Sequence, residues 1–172
     1  MKQQAAVSPN SAKALFPGLA RLSLRGEPLA FALLRICFGI IMITHGLPKL
    51  MRTSHGSMAD PMAGSARLIE TVLHLPFPEY FAMMVALLEA VGGLLLALGL
   101  GTRLIAAAMA IQMAAIAYIL GPTWPWIDRG IEYPVLMLFL CVYLSLRGAG
   151  RYSLESSIRG SQPAGEETIQ RR

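Results

Sequence analysis

Charge is scarce in this chain: Asp, Glu, Lys and Arg together make up 15% of 172 residues, against roughly 25% in an average soluble domain. Cysteine is scarcer still. Cys37 and Cys141 are the only two. They lie far apart inside apolar runs, and no CxxC or Cys/His cluster accompanies them. That excludes a disulfide framework and a structural zinc site and leaves both thiols as small hydrophobes. The signatures of soluble enzymes are missing too, with no HExxH, GxSxG, P-loop or complete GxGxxG. Neither a metal centre nor a self-contained catalytic domain is expected.

What the chain has instead is apolar surface. Hydrophobic residues reach 55% and mean hydropathy is +0.53, and the apolar positions are clustered in runs. A globule of this size has too little interior to hide them, so the bilayer is the simpler solvent. The net charge of +5 and a pI near 9.6 could suggest nucleic acid. The basic residues, however, flank the apolar runs, as in the positive-inside pattern of membrane proteins, and form no basic stripe. A nucleic-acid partner is therefore not expected; the lipid bilayer is.

Four apolar segments are expected to cross the membrane, over about 29–50, 80–100, 102–120 and 131–146. Three approach the roughly 20 residues that span a 30 Å hydrocarbon core. The fourth is shorter and has Pro134 in its first turn, where proline is tolerated. Gly99-Leu100-Gly101-Thr102-Arg103 makes a tight connection in which glycine stops one helix and Thr102 can cap the next. The loop from Met51 to Glu79 reads as long and polar. Trp124 and Trp126, with Tyr80 and Tyr133, suit an aromatic belt at one membrane face.

Residues 1–28 hold no apolar run long enough for a signal-peptide core. They read as a basic leader, either disordered or lying on the membrane through Leu15, Leu19 and Leu22, with Pro17 as an interruption. Residues 159–172 read as a disordered tail. Lys13, Arg21, Arg25, Arg103, Arg147, Arg151 and Arg159 fall on the side of the termini, against Lys49, Arg52, Arg67 and Arg129 on the other. The bias predicts both termini in the cytoplasm. The fold class is thus an all-α, four-helix transmembrane bundle of up-down topology.

Ionisable groups in the hydrocarbon are expensive and normally face a partner or a cavity. Glu89 and Gln112 both lie near the midplane of their helices. On the first helix Arg35, Gly39, Met42, His45, Gly46 and Lys49 share a sector of about 120° at 100° per residue. Glu89 shares a face with Gly93 and Ala97, and Gln112 one with Ala108 and Ala115. Small residues so spaced mark helix contacts in membranes. An internal polar cluster of Arg35, His45, Glu89 and Gln112 is therefore predicted, with Gly39, Gly46 and Gly93 as packing positions. Two readings of it compete. In one, Arg35 and Glu89 form a buried ion pair that fixes register. In the other, the cluster binds a small polar headgroup such as a quinone, or passes protons. His45 has no second intramembrane histidine for haem, and His55 and His74 read as solvated loop residues.

With these positions placed, the chain resembles the DoxX family of small four-helix bacterial membrane proteins. The likeness runs through Leu34-Arg35-Ile-Cys-Phe-Gly39, Thr44-His45-Gly46-Leu-Pro-Lys49 and Leu75-Pro-Phe-Pro78. It continues in Glu89-Ala-Val-Gly-Gly93, Gly99-Leu-Gly-Thr-Arg103 and Gly148-Ala-Gly-Arg-Tyr-Ser-Leu154, and so covers most of 29–158. Glu155 stands where Asp is expected. The resemblance carries the family pattern onto Arg35, His45, Gly46, Lys49, Glu89 and Gly93. It implies an inner-membrane protein, in some relatives a subunit of thiosulfate:quinone oxidoreductases or terminal quinol oxidases. The expected function is an accessory subunit of a quinone- or redox-linked complex, incomplete as an enzyme alone and working with a partner protein. Two alternatives stand beside it. One is a small-solute or proton transporter, whose narrow interior would call for a homo-oligomer; the other is a non-catalytic assembly factor.

Overall fold

The computed structural model describes residues 17–128 and 130–160, with side chains from residue 26 onward except at 126 and 159. Its structure is helical throughout. Among the described residues the only β-type pairing is a bridge between His55 and Met58.

Helix α1 runs from Pro17 to Met51. Pro17 stands at the edge of the described residues, so the expected interruption of a leader helix there falls outside them. The backbone then continues unbroken into the apolar stretch Gly26–Met51. The expected leader before Pro17 lies outside the described residues. Helix α2 covers Pro61–Thr71, α3 Pro78–Leu98 and α4 Thr102–Leu120. A single 3-10 turn, Trp126–Asp128, precedes α5 at Glu132–Arg147, and α6 closes the described chain at Leu154–Gly160. The remainder of the expected tail, 161–172, falls outside it.

Gly26–Met51, α3 and α4 are each long and apolar enough to cross a membrane. Helix α5, with 16 residues, is about 24 Å long at 1.5 Å per residue, short of a 30 Å hydrocarbon layer. Much of the helical surface is apolar and uncovered by protein. Leu104, Ile111, Leu136, Phe139 and Leu146 all stand well exposed, which a helix in water would avoid and one in lipid needs.

Two expectations for the connections fail. Thr102 does not cap α4. Gly101, at φ 59°, holds the cap position without a side-chain bond, and Thr102 is fully buried with an unpartnered Oγ1. The loop from Met51 to Glu79 is not simply polar, because α2 lies within it. Asp60 accepts the Ala63 N–H at 2.9 Å, and Pro61 occupies the first helical turn. Met62 and Ile69 then turn one apolar face onto Ala82 and Ala86 of α3.

Helix α1 packs chiefly on α3, and α4 chiefly on α5. The α1–α3 crossing is made possible by glycine. A Cβ on Gly39 would stand 2.8 Å from the Ala97 nitrogen, one on Gly93 2.7 Å from the Gly39 carbonyl, and one on Gly46 2.7 Å from the Glu89 Cβ. All three glycines therefore sit where the backbones touch. The central core joins the four long helices through Phe38 and Met42 of α1, Leu96 of α3, Met109 and Met113 of α4, and Cys141 and Leu144 of α5.

Candidate functional site

Glu89 lies midway along α3, in a segment from Leu88 to Gly92 where the helix widens to π geometry. A π-bulge carries one extra residue in the turn and re-aims the side chains around it, and such bulges recur at functional sites. Here the bulge meets Gly46, whose lack of a side chain lets α1 lie against the Glu89 backbone. The carboxylate is almost wholly buried, its side chain 3% exposed.

Three hydrogen bonds hold it. Lys49 Nζ donates to both carboxylate oxygens, at 2.8 and 2.6 Å, and Gln112 Nε2 donates to Oε1 at 2.7 Å. Lys49 is two residues from the end of α1, and its stem reaches back toward the bilayer centre to make the pair. A carboxylate at this depth is tolerable only with such partners. Gln112 Oε1 is also buried, and it has no partner.

The cluster forms one pole of a cavity of about 500 Å³. Apart from Lys49, Glu89, Gln112 and Ser65, its walls are apolar: Leu88 and Met84 from α3, Ile111 and Ile116 from α4, and Leu68 and Ile69 from α2. Met84 and Ile111 are strongly exposed, so the cavity opens between α3 and α4 at the face where lipid would lie. Ala108 and Ala115, expected to mark a helix contact, line this cavity instead. Such a chamber suits an amphiphile with a small polar head and an apolar tail.

The structure does not bring the whole predicted cluster together. Arg35 is buried, 1% exposed, but among the described residues it pairs with no carboxylate. Its guanidinium donates to the carbonyls of Ala149, of Tyr152 at 2.8 Å and of Ala97 at 3.4 Å. The expected Arg35–Glu89 ion pair is therefore absent. The reason is register: Gly39 touches Gly93 and Ala97, while Gly46 touches Ala86 and Ala90. Arg35 thus comes level with the last turn of α3, on the order of 13 Å from Glu89 along the axis. There the free carbonyls at a helix C-terminus favour a cation, and the Gly148–Leu154 segment closes over it. Gly99, at φ +71°, lies so near that a Cβ would meet the guanidinium at 2.5 Å.

His45 lies on the edge of its helical sector and is exposed. Its ring contacts that of His55, with centroids 5.1 Å apart at 69°. Glu89 and Lys49 act on it electrostatically, but no hydrogen bond joins it to them. Among the described residues no three His, Cys, Asp or Glu side chains gather in a way that could hold a metal ion.

The sequence reading gave Lys49 a place beside the cluster and not at its heart, and it missed α2. The signal for α2 was present in Asp60-Pro61, a cap followed by a first-turn proline, ahead of Met62, Ala66, Ile69 and Leu73 at helical spacing.

Two comparisons bear on this site. The sequence model of the DoxX family matches residues 30–122, a stretch that contains Arg35, His45, Lys49, Glu89 and Gln112. The chain is also 26% identical over 123 residues to the protein named "Putative oxidoreductase CatD" of Bacillus subtilis (strain 168), covering 72% of this chain and 82% of that protein. No solved structure matches the chain.

Proposed function

As the chain belongs to the DoxX family, we propose that it is an accessory membrane subunit of a redox complex, holding a quinone headgroup against Glu89, Lys49 and Gln112. One observation carries this reading. A carboxylate–ammonium–amide cluster, set on a π-bulge midway along α3, forms the polar pole of an otherwise apolar cavity of about 500 Å³. A flat ring with polar oxygens and a long hydrocarbon tail fits that division of surface, with the tail leaving between Met84 and Ile111. Similarity to a protein whose name calls it an oxidoreductase supports the redox side.

In this role Lys49 offers its ammonium to a ring oxygen, and Glu89 holds Lys49 in place and can accept a proton from the head. His45 and His55, in contact at the outer end of α1, stand between this cluster and the loop surface. Electron transfer belongs to a partner protein, since the chain carries no redox motif of its own. The bundle spans a bacterial inner membrane four times, α5 being the fourth crossing, with both termini in the cytoplasm as the Lys/Arg bias requires.

The test is the amount of quinone that copurifies in mild detergent, compared between wild type and Glu89→Gln. Stoichiometric quinone in the wild type, lowered at least about fivefold in a folded variant that has lost its charged hydrogen-bond acceptor, is the expected result. Equal trace amounts in both would remove the quinone site and favour transport or assembly.

A further inference from the structure

A second cavity, of about 550 Å³, lies at the end of the α1–α3 pair marked by Met51 and Pro78, and it shares no lining residue with the chamber at Glu89. Helix α2 stands between the two. At 100° per residue Ser65, Leu68 and Ile69 fall on one side of α2, and Ala63, Ala66, Arg67 and Glu70 on the other. The first group lines the Glu89 chamber and the second lines this cavity.

Four charged residues line it, two of each sign: Arg52, Arg67, Glu70 and Glu79. All four are exposed, and among the described residues none of them enters an ion pair. Two cations and two carboxylates that share a cavity without pairing can each take a counter-charge from one zwitterionic guest. Arg52 adds a second sign. The Thr53 N–H bonds the Pro48 carbonyl at 3.0 Å and the Arg52 N–H bonds that of Lys49 at 3.3 Å, which closes α1 with Arg52 at φ 51°. Glycine is usual at such a position, because a side chain is strained there. An arginine held against that strain points to a use for its side chain.

The level of the cavity narrows the guest. Arg52 directly follows the membrane-length stretch Gly26–Met51, and Glu79 is the second residue of the membrane-length helix α3. Both stand at one edge of the hydrocarbon layer, where lipid headgroups lie. Met83 also lines the cavity, and it begins an exposed apolar strip that Leu87 continues one turn deeper. A guest with its charges at that edge and a hydrocarbon chain along that strip is a phospholipid.

We infer that this cavity is a binding site for a phospholipid whose headgroup joins a phosphate to a primary ammonium. Arg52 and Arg67 hold the phosphate, and Glu70 and Glu79 hold the ammonium. A phosphatidylglycerol headgroup brings the phosphate but no cation, so the two carboxylates stay unmet. A phosphatidylcholine headgroup brings a cation whose methylated nitrogen has no hydrogen to donate to them. The site is independent of the quinone reading.

The experiment is native mass spectrometry of the full chain in mild detergent, titrated with dioleoyl phosphatidylethanolamine, phosphatidylcholine or phosphatidylglycerol. Equal acyl chains leave the headgroup as the variable. Wild type is expected to hold one ethanolamine lipid at least about fivefold more tightly than either of the others, the gain of charge-assisted bonds at a partly solvated site. Glu70→Gln combined with Glu79→Gln should erase that preference while affinity for the glycerol lipid is kept or raised. Arg52→Gly relieves the backbone strain, so thermal stability should hold or rise while affinity for all three lipids falls about threefold. An Arg52 with a merely structural role would not lose lipid as stability rose.

Equal wild-type affinity for the three lipids would overturn the inference, as would an ethanolamine preference that survives the double glutamine variant. Free O-phosphoethanolamine that displaces the lipid at equal concentration would overturn the lipid assignment, since the acyl chain would then contribute nothing.

Discussion

One face of one helix carries two cationic side chains, Arg35 buried and Lys49 partly buried, and the bundle treats them in opposite ways. At one end Arg35 is enclosed by backbone carbonyls of Ala97, Ala149 and Tyr152, with Gly99 pressed against its guanidinium. The same end is latched by Arg147, which pairs with Glu27, bonds Tyr143 and lies 4.0 Å over the Phe31 ring. Toward the other end Lys49 meets a side-chain carboxylate, on a π-bulge, beside a cavity of about 500 Å³. A cation closed in by main chain is part of the architecture. A cation and carboxylate beside a cavity are the arrangement that the proposed ligand site calls for. Intramembrane charge alone does not separate the two cases; the partners and the adjoining volume do.

The contrast can be broken most forcefully at Arg35. Arg35→Gln leaves three carbonyls without their donor, and at about 1–3 kcal/mol for each unsatisfied group the loss should be at least about 3 kcal/mol. Unfolding titrations in mixed micelles should show it, along with release of the Gly148–Leu154 segment to proteolysis. Arg35→Lys should rescue little, since one ammonium cannot reproduce the guanidinium fork. A well-folded Arg35→Gln protein would refute the clasp.

Next in size is the α1–α3 crossing. Gly39→Ala places a methyl group against backbone of α3 that cannot move aside, and overpacking of that kind costs about 1–3 kcal/mol. The same titration measures it, and the Glu89 cluster should loosen with it, because Gly39 and Gly46 set one register.

Glu89→Gln should be milder for stability, about 1–2 kcal/mol, for an ammonium near a helix end can turn toward the aqueous surface once its partner is gone. Replacing both partners, Lys49→Met with Glu89→Leu, should restore most of that stability while the copurifying quinone stays lost. Stability and ligand lost in proportion would mean that this end, too, is only architecture.

The smallest effect is expected at α2. Asp60→Ala removes a helix cap worth about 1 kcal/mol, so amide exchange over Pro61–Thr71 should quicken while the rest of the protein is unchanged. Such a local change would mark α2 as a separable wall of the cavity.

Much of this was legible beforehand because it depends on local rules. Long apolar runs marked three membrane-length helices, Gly99 and Gly101 marked the tight connection between α3 and α4, and the glycine spacing of α1 and α3 marked their contact. Glu89 and Gln112, at similar depth on faces of small residues, do meet. A helical sector gives Arg35 its face but not its level, and the crossing at Gly39 and Gly93 decides what lies level with what. His45 was drawn into the cluster by a helical sector wide enough to reach the outer face. Thr102 looked like a cap by residue type, yet the backbone gave that position to Gly101.

The sequence by itself determined the solvent, the helices and which faces carry polar groups, since hydropathy and helical periodicity act within one segment. The tertiary structure alone decided that Lys49 and not Arg35 meets Glu89, that α2 walls a cavity, and that Gln112 donates to the same carboxylate. Those outcomes depend on the axial register of two helices to within a turn, and register is set by contacts between residues far apart in the chain.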